Sequence, residues 1–161
     1  MPTISVNVST TQLWHHEFLH TVETAPARHA MGPEALCLEI TETTVVHHAD
    51  GRSRQILLSL AEMGVGISID DFGTGYSSLS YLGDLEVNEL KIDRRFIVDA
   101  APGTNSDRLF GGIASLGRSL GLRVVAEGVE TEVEFELARR HACDLAQGYL
   151  IARPLRPDQA E

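Results

Sequence analysis

The sequence predicts an α/β chain, an incomplete TIM-like (β/α) barrel with about six of the eight strands of a full one. Three observations predict it. Short β-rich apolar runs alternate with helical stretches, which implies a parallel sheet. The runs end in amide, carboxylate or lysine side chains, as strands do where a barrel builds its site. The chain has 161 residues, which falls short of the roughly 250 of a whole barrel. An open doubly wound sheet is the competing architecture, and the polar strand ends favour the barrel.

The predicted strands are Ile4 to Val8, Leu36 to Ile40, Val65 to Asp70, Glu89 to Asp93 and Arg123 to Glu127, with a weaker sixth near Ala146 to Tyr149. Ser9-Thr10-Thr11-Gln12 reads as a capping box that opens the first helix and carries Trp14, His15, His16 and Phe18. Ile56, Leu57, Leu60 and Met63 form one apolar helix face, which Gly64 stops. Leu109, Phe110, Ile113, Leu116 and Leu120 form another, which Gly121 stops. Thr131 to Glu134 reads as a second capping box. The histidine pairs His15–His16 and His47–His48 read as surface residues, and Arg94–Arg95 as a solvated pair. Cys37 and Cys143 read as reduced thiols of a cytoplasmic protein.

No apolar run is long enough to span a bilayer. A net charge of −10 argues against a broad electrostatic grip on nucleic acid. A small phosphate ligand would need metal ions or a local cation to approach the carboxylates. Asn7, Glu39, Asp70, Asp71 and Glu127 are oxygen ligands at strand ends, and oxygen-only donors suit Mg²⁺ or Mn²⁺. Two such ions could activate water and clamp a phosphodiester. Lys91, on a neighbouring strand end, could orient that water or neutralise developing charge.

The successive stretches Ser5-Val6-Asn7-Val8-Ser9, Leu38-Glu39-Ile40-Thr41-Glu42, Asp70-Asp71-Phe72-Gly73-Thr74-Gly75-Tyr76-Ser77-Ser78, Glu89-Leu90-Lys91-Ile92-Asp93, Ala126-Glu127-Gly128-Val129-Glu130 and Gln147-Gly148-Tyr149 resemble, in order and spacing, the motifs of the EAL domain family. The resemblance implies a modified TIM barrel that hydrolyses cyclic di-GMP to linear pGpG with two divalent cations. It implies Asn7, Glu39, Asp70 and Asp71 as metal ligands and Glu127 as a further ligand beside the catalytic water. Lys91 would contact that water, and Gln147 would stand near substrate and metals. Glu42 and Glu130 would support the ligands. Glu42 would hold the loop Phe72, Gly73, Thr74, Gly75, Tyr76, Ser77 and Ser78, which in the family couples metal binding to a dimer interface.

The family's naming motif, whose glutamate is a metal ligand, is not found upstream of Ser5. Glu34-Ala35-Leu36 spells it, but precedes a strand and so falls on the wrong side of a barrel. The expectation is therefore a partial EAL domain over residues 1–157, with its first strands missing, and a tail over 158–161. It would be a fragment of a longer protein with feeble turnover that associates, as a homodimer or otherwise, to cover its open sheet edges. The alternative expectation is an inactive module that binds cyclic di-GMP or another protein.

Overall fold

The computed structural model of the chain describes residues 3–46, 51–74, 82–83, 85–98 and 100–156. The strands are β1 (Ile4–Asn7), β2 (Leu36–Thr41), β3 (Gly66–Phe72), β4 (Glu89–Ile92), β5 (Arg123–Ala126) and β6 (Leu145–Ala146). The helices are α1 (Thr10–Leu13), α2 (Phe18–Arg28), α3 (Glu42–Val46), α4 (Arg52–Glu62), α5 (Asn105–Ser119) and α6 (Glu132–Arg140). Single 3₁₀ turns precede β2 (Pro33–Ala35) and follow β4 (Arg94–Phe96). Glu34 and Ala35 thus lie before β2, as expected.

The strands form one sheet in the order β1-β2-β3-β4-β5-β6, and each pairing is parallel. Sequential order decides between the two predicted architectures, because a doubly wound sheet reverses its order at a switch point. The sheet also curls. Thr3 and Ser5 at its first strand line the same 280 Å³ cavity as Leu145 and Ala146 on its last. Six flat strands about 4.8 Å apart would hold those residues more than 20 Å apart.

Side chains alternate across the strands, and the two faces differ in chemistry. Leu38, Ile40, Ile67, Ile69, Leu90, Ile92, Val124 and Ala126 point outward and are buried in the core with Leu57, Leu60, Phe110, Ala114 and Leu137 from the helices. A Cβ on Gly117 would meet Val124 at 2.8 Å, so the glycine lets α5 lie close to β5. The inner face carries Cys37, Glu39, Glu89, Lys91, Arg123 and Val125, which line the cavity. This inward polar row is what positions the site.

Local details depart from the sequence reading. The first helix ends at Leu13. The His15 N–H bonds to Gln12 O and the Phe18 N–H to His15 O, so the chain turns through His15 and His16. Leu109 and Leu120 lie on the solvent side of α5, and its buried residues are Phe110, Ala114 and Gly117. β5 stops at Ala126, which leaves Glu127 just beyond it, and β6 ends before Gln147. Both capping boxes form, at Ser9–Gln12 and Thr131–Glu134.

Candidate metal centre and active site

Lys91 stands at the middle of the site. It projects from the inner face of β4 and is 3% exposed. Its Nζ lies 2.5 Å from Glu127 Oε1, 3.0 Å from Glu39 Oε1 and 3.6 Å from Asp70 Oδ1. Those carboxylates come from the end of β5, from β2 and from β3, so curling of the sheet brings them together. Burial lowers the affinity of the lysine for its proton. The hydrogen bond and charge of Glu127, with Glu39 and Asp70, outweigh that and hold it above its ordinary pKa. Glu127 is pushed up to about 7, first by burial and then by the charge of Asp70, against the pull of Lys91.

The two aspartates present a geometric problem, since neighbouring strand residues point to opposite faces. A bulge solves it. Ile69 pairs with Leu90 and Phe72 with Ile92, so Asp70 and Asp71 together oppose Lys91 alone. Asp71 takes φ of 54° there, a left-handed conformation that aspartate tolerates better than most residues. Its N–H donates to Asp70 Oδ1 at 3.0 Å. Burial, a hydrogen bond with Asp93 and the charge of Asp70 raise the Asp71 pKa. Burial acts on Asp93 in the same sense, but the Arg95 N–H, Asp71 and the Arg95 guanidinium hold it low.

Asp70, Asp71 and Glu127 each offer an oxygen, all within 4.8 Å of one another. That donor set fits a hard divalent cation, and a cation would relieve the repulsion among the carboxylates. Asn7 lies in register with Glu39 on the adjoining strand. The Gln147 N–H donates to Ala126 O, and the residue lines the cavity with Glu39 and Lys91.

Glu42 opens α3 directly after β2 and is buried. Its Oε2 accepts from the Gly73 N–H at 2.8 Å, which ties the chain after β3 to the end of β2. Phe72 is buried. Thr74 follows Gly73 in a bend, its N–H donating to Asp71 O. Gly75, Tyr76, Ser77 and Ser78 lie outside the described residues. Glu130 pairs with Arg94 Nη2 at 2.7 Å, and its N–H donates to Glu134. Arg94 and Arg95 are both exposed, as the solvated pair expected, and each also has an ion-pair partner, the latter in Asp93 at 3.0 Å.

One inward network was missed. Glu89 is buried, accepts from Ser68 Oγ at 3.1 Å and pairs with Arg123 Nε at 2.7 Å. The signal was available, because Glu89 lies two residues before Lys91 and so shares its face.

The EAL domain family model matches residues 1–154. The chain belongs to the EAL domain family. Among curated relatives, this EAL chain is 48% identical over 156 residues to the bifunctional diguanylate cyclase/cyclic di-GMP phosphodiesterase MucR of Pseudomonas aeruginosa, covering 97% of itself and 23% of MucR. It is thus similar to about a quarter of that relative. Its structure resembles that of the Pseudomonas aeruginosa MucR phosphodiesterase in complex with c-di-GMP, with a TM-score of 0.92 and 48% identity over 98% of this chain and 63% of that one. It also resembles the manganese/cy-diGMP complex of Klebsiella pneumoniae BlrP1, with a TM-score of 0.85 and 28% identity over 94% of this chain and 39% of that one. Among the described residues no helix is long and apolar enough to cross a membrane.

Proposed function

We propose that this EAL chain is the catalytic part of a cyclic di-GMP phosphodiesterase that yields linear pGpG. The observation that carries this reading is the convergence of Glu39, Asp70 and Glu127 on Lys91, with Asp71 brought beside them by the bulge. Asn7, Glu39, Asp70, Asp71 and Glu127 would hold Mg²⁺ or Mn²⁺. Those ions would lower the pKa of a bound water and polarise the phosphodiester. Lys91 keeps its proton and presents positive charge to the forming oxyanion. Gln147, which lines the cavity with Glu39 and Lys91, would stand near substrate and metals. Glu42 fixes the start of the loop that follows Asp71, and Glu130 holds Arg94. The EAL domain that the family model matches over residues 1–154 self-associates in a cytoplasmic setting.

The test is incubation of the purified chain with cyclic di-GMP and Mg²⁺ or Mn²⁺, with chromatography for pGpG. Product that vanishes in Asp70→Asn supports the reading. Bound nucleotide without product from folded protein would replace it with a binding module.

A further inference from the structure

We infer that Lys91 is a built-in competitor of the divalent cations, an ammonium that draws on the same carboxylates and so limits how tightly the ions are held. The inference rests on the metal-dependent reading above. Nζ has Glu127 Oε1 at 2.5 Å, Glu39 Oε1 at 3.0 Å and Asp70 Oδ1 at 3.6 Å. Two of the three supporting carboxylates, those of Asp70 and Glu127, also belong to the group whose oxygens lie within 4.8 Å of one another. The carboxylates of Asp70 and Glu127 therefore serve two claims.

The geometry gives Lys91 little means of yielding. It sits on an interior strand, paired with β3 on one side and β5 on the other, and is 3% exposed. Its ammonium lines the cavity and is held there by three carboxylates. Magnesium or calcium takes carboxylate oxygens at about 2.0–2.6 Å. An ion held by Asp70 and Glu127 therefore stands within a few ångströms of Nζ, with little solvent between to screen the two positive charges. Each carboxylate oxygen has more than one lone pair, so ammonium and ion can share it. The competition is one of charge, and the lysine need not leave.

The competing view is that Lys91 organises the carboxylates and assists ion binding. Calorimetric titration with Mn²⁺ alone separates the two, using the full chain, Lys91→Met and Lys91→Arg, each checked for its fold by circular dichroism. Lys91→Met is expected to bind Mn²⁺ at least about tenfold more tightly, and Lys91→Arg, which keeps the charge, to stay within a few-fold of the parent. Equal or weaker binding by Lys91→Met overturns the inference and leaves the metal-dependent reading standing. No Mn²⁺ binding at millimolar concentration by parent and variants alike overturns that reading as well. Should Lys91→Met not fold, the parent chain itself provides the test. The ¹⁵N resonance of Lys91 Nζ is expected to shift, and its protons to exchange faster, as Mg²⁺ is added. A resonance unmoved at saturation overturns the inference.

Discussion

Asp71 illustrates how much chemistry can rest on one backbone torsion. Without the bulge it would point to the apolar side of the sheet, and the site would lose a carboxylate. Gly73 completes the same turn at φ of 92°, where an added Cβ would meet the Phe96 ring at 2.8 Å. Gly73→Ala should cost about 1–2 kcal/mol, read by urea denaturation. It should also speed hydrogen exchange at residue 73, because the N–H that Glu42 accepts from would move. Gly148 is more constrained. A Cβ there would fall 2.1 Å from Val129 O, a backbone atom that cannot rotate away. Gly148→Ala is expected to destabilise by about 2–3 kcal/mol in the same assay and to disturb the adjoining Gln147. A stability equal to the parent's would refute this account of the residue.

At the level of elements, strand and helix ends are fastened by side chains that mimic backbone. Asn88 Oδ1 accepts from the Ile67 N–H at 2.8 Å, and Asp144 Oδ2 from the Val124 N–H at 2.7 Å, each at the start of the neighbouring strand. The start of α6 has its capping box, and Thr131→Ala should lower stability by about 1 kcal/mol. A clasp joins α5 to the end of α6. His141 Nε2 lies 2.6 Å from Asp107 Oδ1, and Asp107 Oδ2 accepts from the Gly103 N–H at 2.6 Å. The His141 hydrogen bond, then that of Gly103, hold the Asp107 carboxyl below its usual pKa. A depressed carboxylate pKa stabilises the fold above the ordinary value, and that stability is lost as pH falls through the depressed one. The melting temperature of Asp107→Asn should therefore lie below the parent's at pH 6 and approach it in strong acid. A gap independent of pH would count against the clasp.

For the molecule as a whole, curling is what converts six separate strand ends into one site. It also leaves two edges, since β1 pairs with β2 alone and β6 with β5 alone among the described residues. Ile4 and Val6 on β1 and Leu145 on β6 are exposed apolar side chains beside those edges. Unpaired parallel edges with apolar neighbours invite association. Light scattering should find self-association that rises with concentration, and Val6→Lys should reduce it. A monomer at every concentration would contradict this. The thiols tell of the opposite condition. Burial pushes Cys37 and Cys143 up to about 11, so both should resist alkylation at pH 8 until the chain is unfolded.

The strand–helix rhythm and both capping boxes were legible in the sequence, because they follow from periodicity and local hydrogen bonding within a few residues, and Glu39, Asp70, Lys91 and Glu127 were legible as polar residues at strand ends. So was the inward polar row, which a period of two implies, although Glu89 was passed over. The bulge that turns Asp71 inward was not legible. It depends on how β3 matches β4, a pairing made by residues about twenty apart in the chain. Nor was the engagement of Arg94 with Glu130, which join from different loops. The sequence by itself determined which carboxylates, amide and lysine stand at the strand ends. Only the tertiary structure decided which oxygens share one ammonium, because that distance is set by the curl and register of strands remote in sequence.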